Sequence, residues 1–271
     1  MEKASSNPAF ALEICIDSVA SAMAAEQGGA QRVELCDYLA GGGTTPSAGM
    51  ISLVRASISL PLHVLIRPRR GDFLYSTAEM EIMKRDIQVC RDLGADGVVI
   101  GLLTKDGTID LTRTEELIRC AGPLSVTFHR AFDLTRDPLA ALDDLLKLNV
   151  DRLLTSGQEA TALQGVPLLW ELQERAAGKL IIMPGSGVNP ANVREIMAST
   201  GVSEIHASVR RKVEGEMVFR KDYPPMSSYS PLSEFEQQIA DVTQIRQVRV
   251  ALDEIQCSTS SPLTTCNPGL D

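Results

Sequence analysis

Histidine occurs only three times in 271 residues, so a zinc site built from several imidazoles is disfavoured. No lysine ends a segment that reads as a strand: Lys105 falls in a loop and Lys179 precedes a strand. Schiff-base chemistry is therefore not expected. No GxSxG stands at a strand-to-helix turn and no HExxH occurs, which leaves out the nucleophile elbow and the helical zinc protease site. No GxGxxG follows the first strand, which argues against a doubly wound dinucleotide fold. No apolar run approaches a bilayer span, and the opening MEKASSNPAF lacks the apolar stretch of a secretory leader. A membrane partner is not expected. Basic charge is also short, giving a net charge of −9, which disfavours nucleic acid and anionic membranes as partners. The six cysteines are scattered over strands, helices and the C-terminal stretch. They read as reduced thiols of a cytoplasmic protein, with the nucleus as a second location, and not as a disulfide framework.

What is present is a pattern that occurs three times: a short strand carrying a glutamate and, two residues on, a soft ligand. Glu13 and Cys15 lie in LEICID, Glu34 and Cys36 in VELC, and Glu204 and His206 in EIHAS. Side chains two apart on a strand share a face. Apolar β-branched segments recur at 12–16, 32–36, 62–67, 97–101, 125–130, 152–155, 180–184 and 204–207. Runs of this kind suit strands buried on both sides. Helices fit between them. Thr45-Pro46, Asp137-Pro138 and Asn189-Pro190 read as caps before a first-turn proline, as do Ser76, Asp110 and Asp17 or Ser18 as further caps. Gly28, Gly94, Gly178 and Gly201 read as left-handed stops. A last helix is expected over 241–255.

Eight strand–helix units predict an α/β fold of the (β/α)8 TIM barrel type, a single domain over residues 10–256. Residues 1–9 and 257–271 read as disordered tails. The stretch Arg211–Pro231, with Tyr223-Pro224-Pro225 and a serine-rich run, reads as a long excursion over the barrel mouth or towards a partner subunit. If the first, second and last strands are neighbours in a closed barrel, Cys15, Cys36 and His206 gather near one mouth.

Chemistry in such barrels sits at the carboxyl ends of the strands, and several of these ends are polar. Arg67 opens RPRRGDFLYS, and Thr127-Phe128-His129-Arg130 leads to Asp133. Buried charges need partners, so Glu13 and Glu34 are expected to face Arg67 and Arg130. A carboxylate beside His129 would set its tautomer and raise its pKa, whereas His63, early in its strand, reads as structural. Two loops suit an anion: Gly41-Gly42-Gly43-Thr44-Thr45-Pro46 before a helix, and Gly185 and Gly187 after the seventh strand together with Ser208 after the eighth. The alternative is that these glycines only allow tight turns. A strand cysteine is by default a small hydrophobe. Two cysteines on adjacent strands, with His206 as a weaker third ligand, instead suit a soft ion such as Cu(I).

The motifs LEICID, GGAQRVELC, GGGTTPSAG, IRPRRGDFLYS, VTFHRAFD, RLLTSGQ, MPGSGV and EIHAS resemble those of the CutC family over residues 11–210. The resemblance implies a (β/α)8 barrel, cytoplasmic copper handling, Cu(I) held by two cysteines aligned with Cys15 and Cys36, and a dimer or tetramer. Arg70 stands where the family usually has a glycine, which adds charge and bulk near the mouth, and Ser186 replaces another glycine. Two functional classes follow. One is a cytosolic Cu(I)-binding protein. The other is an enzyme acting on a small anionic or phosphorylated substrate, with Arg67 and the late loops holding the anion, Glu13 or Glu34 as base and His129 as acid.

Overall fold

The computed structural model describes residues 10–221 and 233–260. Eight parallel strands alternate with helices: β1 (Ala11–Ile16), α1 (Val19–Gln27), β2 (Arg32–Leu35), α2 (Ala48–Ser57), β3 (Leu62–Leu65), α3 (Thr77–Asp92), β4 (Gly97–Ile100), α4 (Leu111–Ala121), β5 (Ser125–Phe128), α5 (Pro138–Lys147), β6 (Arg152–Thr155), α6 (Val166–Ala176), β7 (Ile181–Pro184), α7 (Val193–Thr200) and β8 (Glu204–Ala207). Two further strands, β9 (Arg210–Glu214) and β10 (Glu236–Ala240), precede α8 (Val242–Ser260). The sheet runs β7-β6-β5-β4-β3-β2-β1-β8, so the first and last barrel strands pair as expected. The TIM barrel is nearly closed: no ladder joins β7 to β8, which lie side by side.

Period two sorts each strand between two environments. Leu12, Ile14 and Ile16 of β1 pack outward in the large core beneath the helices, with Val33, Leu35, Val64, Ile100 and Phe128. Cys15, Cys36, Leu65 and Val99 form a separate small cluster inside the barrel. Much of the rest of the lumen is polar, since Glu13, Arg32, Glu34, His63 and His206 are all buried, with Met183 beside Arg32 and Leu154 on the cavity wall. A parallel barrel holding charges inside must pair them within its own cross-section, and this requirement shapes the site.

Helix starts follow local chemistry. Ser76 and Glu79 form a reciprocal capping box on α3. Ser18, Asp110 and Asp137 cap α1, α4 and α5 through side-chain oxygens. Two starts differ from the expected ones. α2 is capped by Ser47 and not at Thr45-Pro46, because the Thr45 amide and hydroxyl are both bonded to the Arg67 backbone. α7 begins after Asn192, because Asn189 and Asn192 tie up a turn around Pro190 first. Gly28 ends α1 in a right-handed conformation. Its missing side chain is explained by Ile245 of α8, which a Cβ would meet at 2.6 Å.

The excursion after β8 is partly regular. β9 pairs antiparallel with β10, with Arg210 opposite Ala240, and the Ala240 amide donates to Ser21 of α1. This hairpin therefore stands at the rim of the barrel. Tyr223, Pro224 and Pro225, the serine-rich run and the tails 1–9 and 261–271 lie outside the described residues. α8 continues through Ser260, past the boundary at 256.

Candidate functional site

The site is a stack of layers inside the barrel, set by strand register. Glu13 is opposite Arg32 on one side and His206 on the other, and Cys15 is opposite Glu34, which is opposite His63. At the floor, the Arg32 guanidinium bonds Glu13 and donates to Glu204 at 2.6 Å, and Arg152 donates to the same Glu204 oxygen at 2.7 Å. One layer up, His206 Nδ1 lies 2.7 Å from Glu13 Oε1 and its Nε2 lies 3.8 Å from Glu34. Above them the sulfurs of Cys15 and Cys36 are 3.9 Å apart. They form part of the wall of a cavity of about 860 Å³ that also takes in Arg67, His129, Ser208 and Arg210.

Electrostatics differs sharply across these layers. Burial pushes the Glu13 carboxyl up, but Arg32 and His206 outweigh it and hold it far below the usual carboxylate range. Glu34 has no arginine of its own. Burial raises it to about 8, helped by the charges of Cys15 and Glu13 and only partly opposed by His206. Burial disfavours the His206 imidazolium, yet its bonds to Cys15 and Glu13 keep its pKa well above the ordinary value. The two thiols share a hydrogen bond. It lowers Cys15 to about 5 against its burial, while the same bond together with burial sends Cys36 well above the usual thiol range. The pair therefore holds one proton and one negative charge near neutrality.

The expected pairing of Glu13 and Glu34 with Arg67 and Arg130 is not found. Those arginines sit at the rim, above the glutamates, and Arg32 occupies the position across from Glu13. Arg67 turns its Nη donors to the carbonyls of Gly41, Gly43 and Gly71 and lies over Phe73 at 4.9 Å. It thus pins the glycine loop, which answers for that loop by turn geometry. Arg130 is bound to Asp133 at 2.7 Å and to Ser156 at 3.0 Å. Asp133 also accepts from Thr155, from Ser156 and from the Gln158 amide, so it clamps the loop after β6 and does not touch His129. His129 Nδ1 accepts from the Ala131 amide at 3.1 Å, which places the proton on Nε2. Burial and the Arg67 charge push its pKa down to about 3, the reverse of the expected rise. A neutral imidazole with no carboxylate partner is not a general acid near pH 7.

The late loops are brought to the mouth only in part. Gly187 and Ser208 line the cavity. The Gly185 amide is spent on Thr155 O at 3.0 Å, and a Cβ there would approach Leu154 to 2.5 Å, so this glycine serves packing. Ser186, the residue in a family glycine's place, holds a left-handed φ of 82°, a conformation that costs a non-glycine residue free energy. Arg70 is exposed to solvent.

Several site residues were missed from sequence. Arg32 begins the alternation Arg32-x-Glu34-x-Cys36, a readable inward stripe. Arg152 opens its strand in the same way, and it meets Glu204, which the sequence does single out. Arg210, just after β8, carries no sequence signal of its own, yet it reaches Asp17 at 2.5 Å and the Gln238 carbonyl at 2.6 Å. The two glycines of GVVIG make room for histidines: a Cβ on Gly97 would meet the His63 ring at 2.6 Å, and one on Gly101 would strike His129 and Ala131. Gly101→Ala is therefore expected to lower stability by about 1–3 kcal/mol through overpacking, read as a drop in urea midpoint at constant m-value. An unchanged midpoint would show the His129 ring to be free to move.

Acid should weaken the fold before it protonates Glu13. His129 at about 3 and His63, which burial lowers to about 4, refuse protons that the unfolded chain accepts near the ordinary histidine value of 6.5. Cys15 acts in the same direction down to about 5. Glu34, raised from 4.5 to about 8, acts oppositely, because the native state holds the extra proton. His206, held well above the ordinary value, also acts oppositely until the unfolded imidazole takes up its proton near pH 6.5; below that the two suppressed histidines and Cys15 outnumber Glu34, so stability falls as pH falls from 6.5 to 5. A Tm at pH 5 equal to that at pH 6.5 would contradict these assignments.

The described residues contain two groups of metal-binding type, each with ligand atoms within 4.8 Å of one another: Cys15, Glu34 and Cys36, and Glu13, Glu34 and His206. The soft donors of the first fit a soft ion. In the second, Arg32 already occupies Glu13 and the oxygens are hard ligands. Among the described residues no helix is long and apolar enough to cross a membrane. The family model described as the CutC family matches residues 10–211. A "family protein CutC" of Chromobacterium violaceum is 50% identical over 243 residues, 90% of this chain and 98% of that protein. The human protein named copper homeostasis protein cutC homolog is 45% identical over 253 residues, 93% of each chain. A crystal structure described as a copper homeostasis protein CutC from Streptococcus agalactiae superposes with a TM-score of 0.70 at 33% identity, covering 73% of this chain and 97% of that one.

Proposed function

The chain belongs to the CutC family, and from that premise we infer that it binds Cu(I) through Cys15 and Cys36 as part of copper homeostasis. The observation that carries this reading is the 3.9 Å separation of the two sulfurs inside one cavity wall. Two thiolates are the donors a soft monovalent ion selects. One thiol of the pair is already drawn towards its thiolate by the other, so binding displaces a single proton near pH 7. Glu34 sits beside the sulfurs; as an oxygen donor it is a poor partner for copper. His206 belongs to the layer beneath, tied to Glu13.

Anaerobic titration against a chromophoric Cu(I) chelator tests the reading. One equivalent withheld from the chelator per chain supports it, and no copper withheld defeats it. The same reading includes a cytoplasmic or nuclear setting, where thiols stay reduced, and a homodimer or homotetramer. For the assembly, the support is apolar surface on the excursion, where Val218 and Phe219 are 96% and 71% exposed.

The enzyme reading keeps one observation in its favour: the cavity is of ligand size and polar at its mouth. The acid and base it needs are not supported by the partners that Glu13 and His129 have taken.

A further inference from the structure

Copper held by two thiolates alone leaves His206 unexplained. The imidazole is buried on β8, and both of its nitrogens are committed. Nδ1 lies 2.7 Å from Glu13 Oε1, which leaves Nε2 for the bond to Cys15. Glu34 stands 3.8 Å from the same nitrogen. Charge balance at the floor does not call for this ring. Arg32 and Arg152 are two cations set against two carboxylates, Glu13 and Glu204, so that layer is neutral without an imidazole.

What the floor does supply is a fixed carboxylate. Arg32 bonds Glu13 and donates to Glu204 at 2.6 Å. Arg152 reaches the same Glu204 oxygen at 2.7 Å and donates to the Ser125 hydroxyl at 2.7 Å. Side chains from β1, β2, β6 and β8 thus hold one carboxylate under one ring nitrogen. A histidine that ligates a metal almost always gives its other N–H to such a group, which sets the tautomer and ring orientation and raises its basicity as a ligand. Glu13 stands in that relation to Nδ1, and Nε2 is left facing sulfur. Imidazole is a donor that copper accepts, whereas the Glu34 carboxylate suits harder ions. The three donors come from β8, β1 and β2, which are consecutive around the barrel.

We propose that His206 Nε2 is the third ligand of Cu(I) beside Cys15 and Cys36, and that Glu13, held by Arg32, is the positioning residue that aims it. This rests on the copper reading above. Copper replaces the hydrogen between Nε2 and the Cys15 sulfur. That proton leaves to solvent in addition to the one released by the thiol pair, and copper stays Cu(I), so no electron is transferred.

The test uses the full chain loaded with one equivalent of Cu(I) under anaerobic conditions. X-ray absorption is expected to show two sulfurs and one nitrogen around copper, with the outer-shell scattering of an imidazole ring. His206→Ala should lower Cu(I) affinity by at least about tenfold, and free imidazole should restore it, which a merely structural histidine would not allow. Glu13→Gln keeps an acceptor under Nδ1 but removes its charge. It should cost about 10–100-fold in affinity, the usual effect of losing such a partner, with the nitrogen still bound. Copper held by two sulfurs and no nitrogen overturns this proposal and leaves the copper reading standing, as does unchanged affinity in His206→Ala. Unchanged affinity in folded Glu13→Gln overturns the positioning role. A chain that takes up no copper overturns both readings. Because the absorption spectrum is read on the unaltered chain, the decisive outcome does not depend on a variant that folds.

Discussion

The Cys15→Ser/Cys36→Ser variant should lose Cu(I) affinity by more than about a hundredfold while keeping its fold. Removing an outer-shell partner of a metal ligand alone typically costs about 10–100-fold, so removing both ligands must cost more. The substitution is nearly isosteric, and the two sulfurs belong to a small interior cluster with Leu65 and Val99, separate from the large core under the helices. Loss of packing is correspondingly small, and circular dichroism and Tm should change little. Cys90, buried in α3 and raised to about 12 by its burial, serves as the internal control. Its thiol is a poor ligand, and Cys90→Ser should leave copper stoichiometry at one per chain. Retention of copper by the double variant would place the site elsewhere and remove the basis for assigning Cys15 and Cys36.

Glu13→Gln should be the most destabilising conservative change in the lumen, and Glu34→Gln nearly silent. Both carboxylates are buried on neighbouring strands and differ by one layer. Glu13 is ionised, bonded to Arg32 and to His206. Its neutral amide leaves two cations facing a group that no longer balances them. Breaking a buried pair on one side costs about 3–5 kcal/mol, or roughly 6–20 °C in Tm at about 2–4 °C per kcal/mol. Glu204 still holds Arg32 at 2.6 Å, which points to the lower part of that range. Glu34, raised by burial to about 8, is largely protonated at pH 7, and an amide imitates a protonated carboxyl. Equal Tm losses for the two variants would refute the layered charge scheme.

Both predictions depend on a distinction that strand periodicity alone does not make. Alternation places Glu13 and Cys15 on one face of β1, and Glu34 and Cys36 on one face of β2. The eight units, the caps at Ser76, Asp110 and Asp137, and the pairing of the first and last strands are likewise readable, because each rests on local chemistry or on chain order. The heights of these residues are not readable. The stagger between neighbouring strands decides that Glu13 meets Arg32 and not Arg67, and that His129 meets a backbone amide and not Asp133. Glycines mislead for a related reason. Gly185 reads as an anion-loop residue in the sequence, yet in the barrel it accommodates Leu154 from the neighbouring strand, and the strand glycines Gly97 and Gly101 likewise make room for His63 and His129.

The sequence by itself determined which side chains face inward and that the lumen would be charged, since strand geometry has period two and these stripes carry Arg, Glu, Cys and His. The tertiary structure alone decided who pairs with whom. Closing eight staggered strands into a cylinder shifts each stripe along the barrel axis, and in a medium of low dielectric a shift of one residue exchanges a neutralised carboxylate for a protonated one.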